Sequence, residues 1–112
     1  MDVKKLTKVL KHRVDKKTFG STKEKDIVFL AQSLSRFNSI LGETYTEENI
    51  PDHYSSIIAQ GMEILYLKNI IFKELRINQK EGINDQVGAL LTVLNHLENT
   101  YLQEIQLVRR ED

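Results

Sequence analysis

Lys4, Lys5, Lys8, Lys11, Arg13, Lys16 and Lys17 crowd the opening stretch MDVKKLTKVLKHRVDKK with cations. Side chains of this kind neutralise phosphates on nucleic acid, dock on an anionic membrane, or meet an acidic surface of another protein. Over residues 1–25, nine Lys or Arg stand against Asp2, Asp15 and Glu24, so the net charge of zero hides a basic front and an equally acidic remainder. The nucleic-acid reading lacks part of its equipment: Arg13 is the one arginine of the segment, no aromatic precedes Phe19 to stack on a base, and no helix-turn-helix spacing occurs. The membrane reading lacks Trp or Phe on the apolar face, and there is neither a Cys nor a Gly at position 2 to carry a lipid.

The other reactive residue types are dispersed. His12, His53 and His96 fall into no HExxH or Glu-x-x-His spacing that would set two metal ligands on one helix face. The five glycines are spread over positions 20, 42, 61, 82 and 88, which leaves no phosphate-cradling loop and no nucleophile elbow. With no cysteine there is no thiolate, zinc-thiolate site or disulfide. Arg36, Lys68, Lys73 and Arg76 are the mid-chain cations that an enzyme acting on anionic metabolites would turn inward, and helical periodicity sets them towards solvent. The expectation is a non-enzymatic protein with no catalytic residue, no metal and no cofactor.

Contact residues are easier to nominate. Tyr66 and Tyr101 combine a large apolar ring with a polar tip, which suits a half-wet interface. Glu43, Glu47, Glu48 and Asp52 form an acidic cluster that complements the basic front, either on a partner or head to tail between copies of the chain.

These residues need elements to hold them. Val3, Leu6, Leu10 and Val14 recur at helical spacing and predict a basic amphipathic helix over about 3–17. Gly20 ends it, and Ser21 with Glu24 three residues on reads as a reciprocal cap for a second helix over 22–41, closed by Gly42. Pro51, preceded by acids, opens a third helix over 51–78. Gly82 and Asn84 break and recap the chain for a fourth over 84–109, where Val87, Leu94, Tyr101 and Val108 recur every seven residues with Leu90 and Leu97 between them. The seam is interrupted at Glu104, which argues against a long coiled coil.

Helix three is the demanding element. In YSSIIAQGMEILYLKNIIFKEL, Ile57, Ile58, Met62, Ile64, Leu65, Leu67, Ile70, Ile71, Phe72 and Leu75 fall on nearly every side of the helical wheel. Glu63 and Lys68 exclude a membrane span, so several helices or a second subunit must surround it. With no period-two run anywhere, the expected fold is all-α: a single domain over 1–112, a compact bundle of about four helices dominated by a long antiparallel hairpin of helices three and four.

The leading expectation for function is a cytoplasmic protein-protein interaction module, self-associating or of adaptor type. Small helical adaptors of viral particles share this general form, an analogy at the level of fold. The alternatives are a nucleic-acid-associated regulator that uses the N-terminal lysines against phosphates, and a small inhibitor or immunity-type protein that binds another protein.

Overall fold

The computed structural model describes residues 1–77 and 85–111. Gly82, Asn84 and the end of helix three at residue 78 lie outside them. Five α-helices follow in order: α1 (Val3–Arg13), α2 (Lys16–Phe19), α3 (Lys23–Leu41), α4 (Ser55–Ile77) and α5 (Asp85–Glu111), with a 3-10 turn at Asp52–Tyr54 leading into α4. No strand occurs among the described residues, and the architecture is an all-α bundle.

The helix ends follow from local chemistry. Asp2 caps α1 by accepting from the backbone N–H groups of Lys4 and Lys5. The basic segment does not continue to residue 17. Val14 turns extended, and the Asp15 carboxylate accepts from both the Thr18 N–H and the Thr18 hydroxyl, starting the separate short α2. Gly20 closes α2 at a φ of 61°, a left-handed conformation that Gly adopts without strain. Thr22 caps α3 through the Lys25 N–H, one residue later than the Ser21 pairing predicts, and Gly42 ends it at a φ of 70°. The loop that follows is pinned by Asn38, whose amide donates to the Tyr45 carbonyl and whose oxygen accepts from the Tyr45 N–H. Ile50 inserts from that loop into the core.

α4 is the axis of the molecule, with α1, α3 and α5 packed along it. Ile58, Ala59, Met62, Ile64 and Tyr66 are buried in succession, so its apolar residues are covered on several sides within one chain. Three intrachain neighbours take up most of the surplus that suggested a second subunit, and Phe72 stays exposed. α5 runs antiparallel to α4: Gln60 meets Glu104, Lys68 meets Glu98, and Leu67 and Ile71 share a cluster with Val87. The seven-residue seam is real, since Val87, Tyr101 and Val108 are buried. Its interruption is local, because Glu104 pairs with Gln60 while Ile105 carries the apolar contact onward.

Gly61 sets the distance between α3 and α4. A β-carbon there would meet the Ser33 Cβ at 3.2 Å and intrude on the Ser33 hydroxyl, which donates to the Ile58 carbonyl at 2.7 Å. Overpacking of this kind costs about 1–3 kcal/mol, against the roughly 1 kcal/mol by which Ala is the better helix former. Gly61→Ala is therefore expected to lower the urea midpoint, and adding Ser33→Ala is expected to recover part of the loss. A Gly61→Ala protein at least as stable as its parent would contradict the close approach.

Candidate functional site

α1 and α3 both lie on α4 but make at most marginal contact with each other, and an open groove runs between them. Two merged depressions of about 410 and 360 Å³ form it, sharing Thr7, Leu10, Lys23 and Asp26. The floor is apolar, made by Leu6, Leu10 and Val14 of α1, Leu30 of α3 and Met62 of α4. Spacing explains the gap. One apolar residue per turn at 6, 10 and 14 gives α1 a narrow stripe, enough to cover α4 and too little to reach α3 as well. On α3, Leu30 turns inward, whereas Ile27, about 60° away around the helix, stands on the rim and is 70% exposed.

The charges along the groove divide into engaged and free groups. Asp26 accepts a hydrogen bond from the Tyr66 hydroxyl, and Asp15 is occupied with Thr18, whose hydroxyl holds the carboxyl below its usual value. Lys11, Lys16 and Lys23 are exposed, and no carboxylate pairs with them among the described residues. Lys11 and Lys16 border only the depression beside α2, whereas Glu47 borders only the other one.

The residues singled out from sequence separate into three groups. Lys4, Lys5, Lys8, Lys11, Lys16 and Lys17 are exposed, whereas Arg13 departs from them and pairs with Glu63 of α4 at 3.3 Å. Glu43, Glu47, Glu48 and Asp52 are also exposed. The loop they share is tied to the basic front of the same chain: the Met1 amine donates to the Glu47 and Glu48 carbonyls, and the Asp2 N–H donates to Asp52 Oδ1 at 2.7 Å. The start of the basic front and the acidic loop thus touch within one chain through the Met1 amine and the Asp2 N–H, while the lysines of α1 pair with none of these carboxylates among the described residues.

Tyr66 and Tyr101 need correction as partner contacts, because both are 0% exposed. Phe29 and Phe19 stand edge-on to the Tyr66 ring, at centroid distances of 4.7 and 6.5 Å. Burial, reinforced by Asp26, raises its phenol far above the ordinary value. Tyr101 is raised to about 12 by burial, and the Arg36 guanidinium stacks over its ring at 4.6 Å.

Arg36 and Lys68 also depart from their expected solvent positions, while Lys73 and Arg76 are exposed as expected. From α3 and α4 the two converge on Glu98 of α5, Arg36 through both nitrogens of its fork and Lys68 at 3.3 Å. This cluster joins three helices. No sequence pattern marks it, since Arg36 and Glu98 are 62 residues apart. The three histidines are exposed, and no group of His, Asp or Glu among the described residues is arranged to hold a metal ion. No helix among the described residues is long and apolar enough to cross a membrane.

No known protein family matches this chain, and no curated protein or solved structure matches it either.

The two partly buried carboxylates Glu63 and Glu98 carry opposite pH signatures. Burial pushes Glu98 up, but hydrogen bonds and charge from Arg36 and then Lys68 more than reverse this and hold it below the usual value. Burial also pushes Glu63 up, and Arg13 offsets this only in part, leaving it raised. A carboxyl held low contributes stability above its unfolded pKa that is lost as pH falls through the lowered value. One held high contributes below its unfolded pKa, and that contribution is lost as pH rises through the raised value. Glu98→Gln is expected to destabilise the protein at neutral pH, with the gap from the parent closing as pH falls below about 4. For Glu63→Gln the difference should move in the variant's favour as pH rises above about 5. Chemical denaturation across pH measures both, and parallel profiles for parent and Glu98→Gln would contradict the cluster.

Proposed function

We propose that this chain is a non-enzymatic protein-interaction module that receives a foreign protein in the groove between α1 and α3. The observation that carries the reading is the open apolar floor with Ile27 standing unpartnered on its rim. Concave apolar surface rimmed by polar groups is what helical modules use to take up a partner segment. An adaptor or assembly role, and an inhibitor or immunity-type role, are both consequences of such binding.

Self-association draws less support. Among the described residues, the other exposed large apolar side chains are Val28, Phe72, Val93, Leu102 and Leu107. They are dispersed over α3, α4 and α5, and Val93 and Leu102, nine positions apart, project from opposite sides of α5. Single exposed apolar residues are ordinary on a folded surface. The nucleic-acid reading keeps one supporting observation, the exposed lysines Lys4, Lys5 and Lys8 of α1, which lie outside the groove. It requires binding that falls steeply with salt.

Position-dependent crosslinking in an extract of the native host tests the proposal. A photoreactive residue at Ile27 is expected to yield one discrete heteromeric adduct, and the same residue at Gln103, on the exposed side of α5, is expected to yield none. Indistinguishable adducts at the two positions, an adduct of twice the chain's own mass, or one containing nucleic acid would each overturn it.

A further inference from the structure

The chemistry of the groove narrows the partner. Its walls are the two helices α1 and α3, its floor is aliphatic, and it lies open along its length, which fits an elongated side-chain stripe better than a compact small molecule. An apolar stripe on a helix, with residues at i, i+3 or i+4 and i+7, runs about 10 Å from first to last. α1, the shorter wall, is 11 residues or about 16 Å long.

The balance of charge selects the sign. Asp15 and Asp26 stay negative while accepting hydrogen bonds from the Thr18 and Tyr66 hydroxyls, and towards α2 they are outnumbered by Lys11, Lys16 and Lys23. Lys11, Lys16 and Lys23 have no carboxylate partner among the described residues. The 19-residue α3 begins at this place, with Ser21, Thr22 and Lys23 lining the groove, so the positive end of its dipole adds to the lysine field. Glu47, whose backbone carbonyl but not its carboxylate is engaged by the Met1 amine, marks the other end as acidic. The groove is therefore apolar along its floor, basic towards α2 and acidic at the far end.

We propose that this groove binds an acidic amphipathic helix of a partner protein, its apolar stripe on Ile27 and the exposed edges of Leu10 and Leu30 and its carboxylates against Lys11, Lys16 and Lys23. This rests on the interaction-module reading and adds the partner's chemistry and polarity. Charge complementarity decides in its favour over nucleic acid, because phosphates would be served by the outer lysines alone and would leave the aliphatic floor and Ile27 unused.

Three synthetic peptides of about 18 residues test it. One carries a leucine stripe flanked by Glu, one the same stripe flanked by Lys, and one the acidic composition with the stripe scrambled. Binding to the isotope-labelled full chain is followed by NMR. The acidic striped peptide is expected to shift the backbone signals of Thr7, Leu10 and Ile27 and to bind at least about tenfold more tightly than the other two. In K11E/K16E/K23E, whose sites are all exposed, the preference should invert towards the Lys-flanked peptide while the circular dichroism spectrum stays that of the parent. Equal binding of both striped peptides would overturn the charge selection and leave an interaction groove standing. Absence of binding by any peptide, alongside a heteromeric adduct at Ile27, would overturn the acidic-helix occupant alone. Absence of both would remove the module reading with it. Displacement of the acidic peptide by a DNA duplex at physiological salt would also overturn the proposal, by showing that negative charge suffices.

Discussion

A helix that is apolar on nearly every side has to be enclosed, and the rest of this molecule is arranged around that requirement on α4. Exposed apolar surface costs about 25 cal/mol per Å² relative to burial, so a helix of 23 residues with Ile58, Met62, Ile64, Tyr66 and Leu67 on its several sides is stable only inside a sheath. α1, α3 and α5 supply that sheath. Each is amphipathic and gives α4 its apolar stripe, and the closest approach, between α3 and α4, is made at Gly61 and Ser33. Polar links then fix the helices against rotation: Arg13 to Glu63, Arg36 and Lys68 to Glu98, and Tyr66 to Asp26.

The sheath is uneven, and the unevenness is what gives the surface a character. α1 is short and offers one apolar residue per turn, so it covers α4 without reaching α3. The gap is floored by side chains that belong to the core and is edged by lysines that the core has no use for. Structural economy and a candidate binding function thus come from the same feature. The basic front is not a free-swinging arm either, because its first two residues are tied to the loop carrying Glu47, Glu48 and Asp52.

What could be read from the sequence was whatever is written locally. The stops at Gly20 and Gly42, the apolar spacing of α5 and the all-round apolarity of residues 57–75 are properties of single segments, and the all-α bundle follows from them. The break at Val14 was hidden because the apolar spacing 6, 10, 14 runs straight through it; the Asp15–Thr18 pairing that causes it is a short-range competition with the helix. Tyr66 and Tyr101 were misplaced because a tyrosine suits a core edge and an interface equally well, and only the positions of Phe29 and Arg36 decide between them. The Glu98 cluster and the groove are relations between distant segments. No periodicity encodes that α1 and α3 fail to meet.

Whether one chain suffices to enclose α4 is tested most directly by light scattering coupled to size-exclusion chromatography, at two protein concentrations and at low and high salt. A monomer of 13.0 kDa is expected under all four conditions. A dimer or larger species that persists at high salt would show that apolar surface remains to be covered by a second copy, and would contradict it.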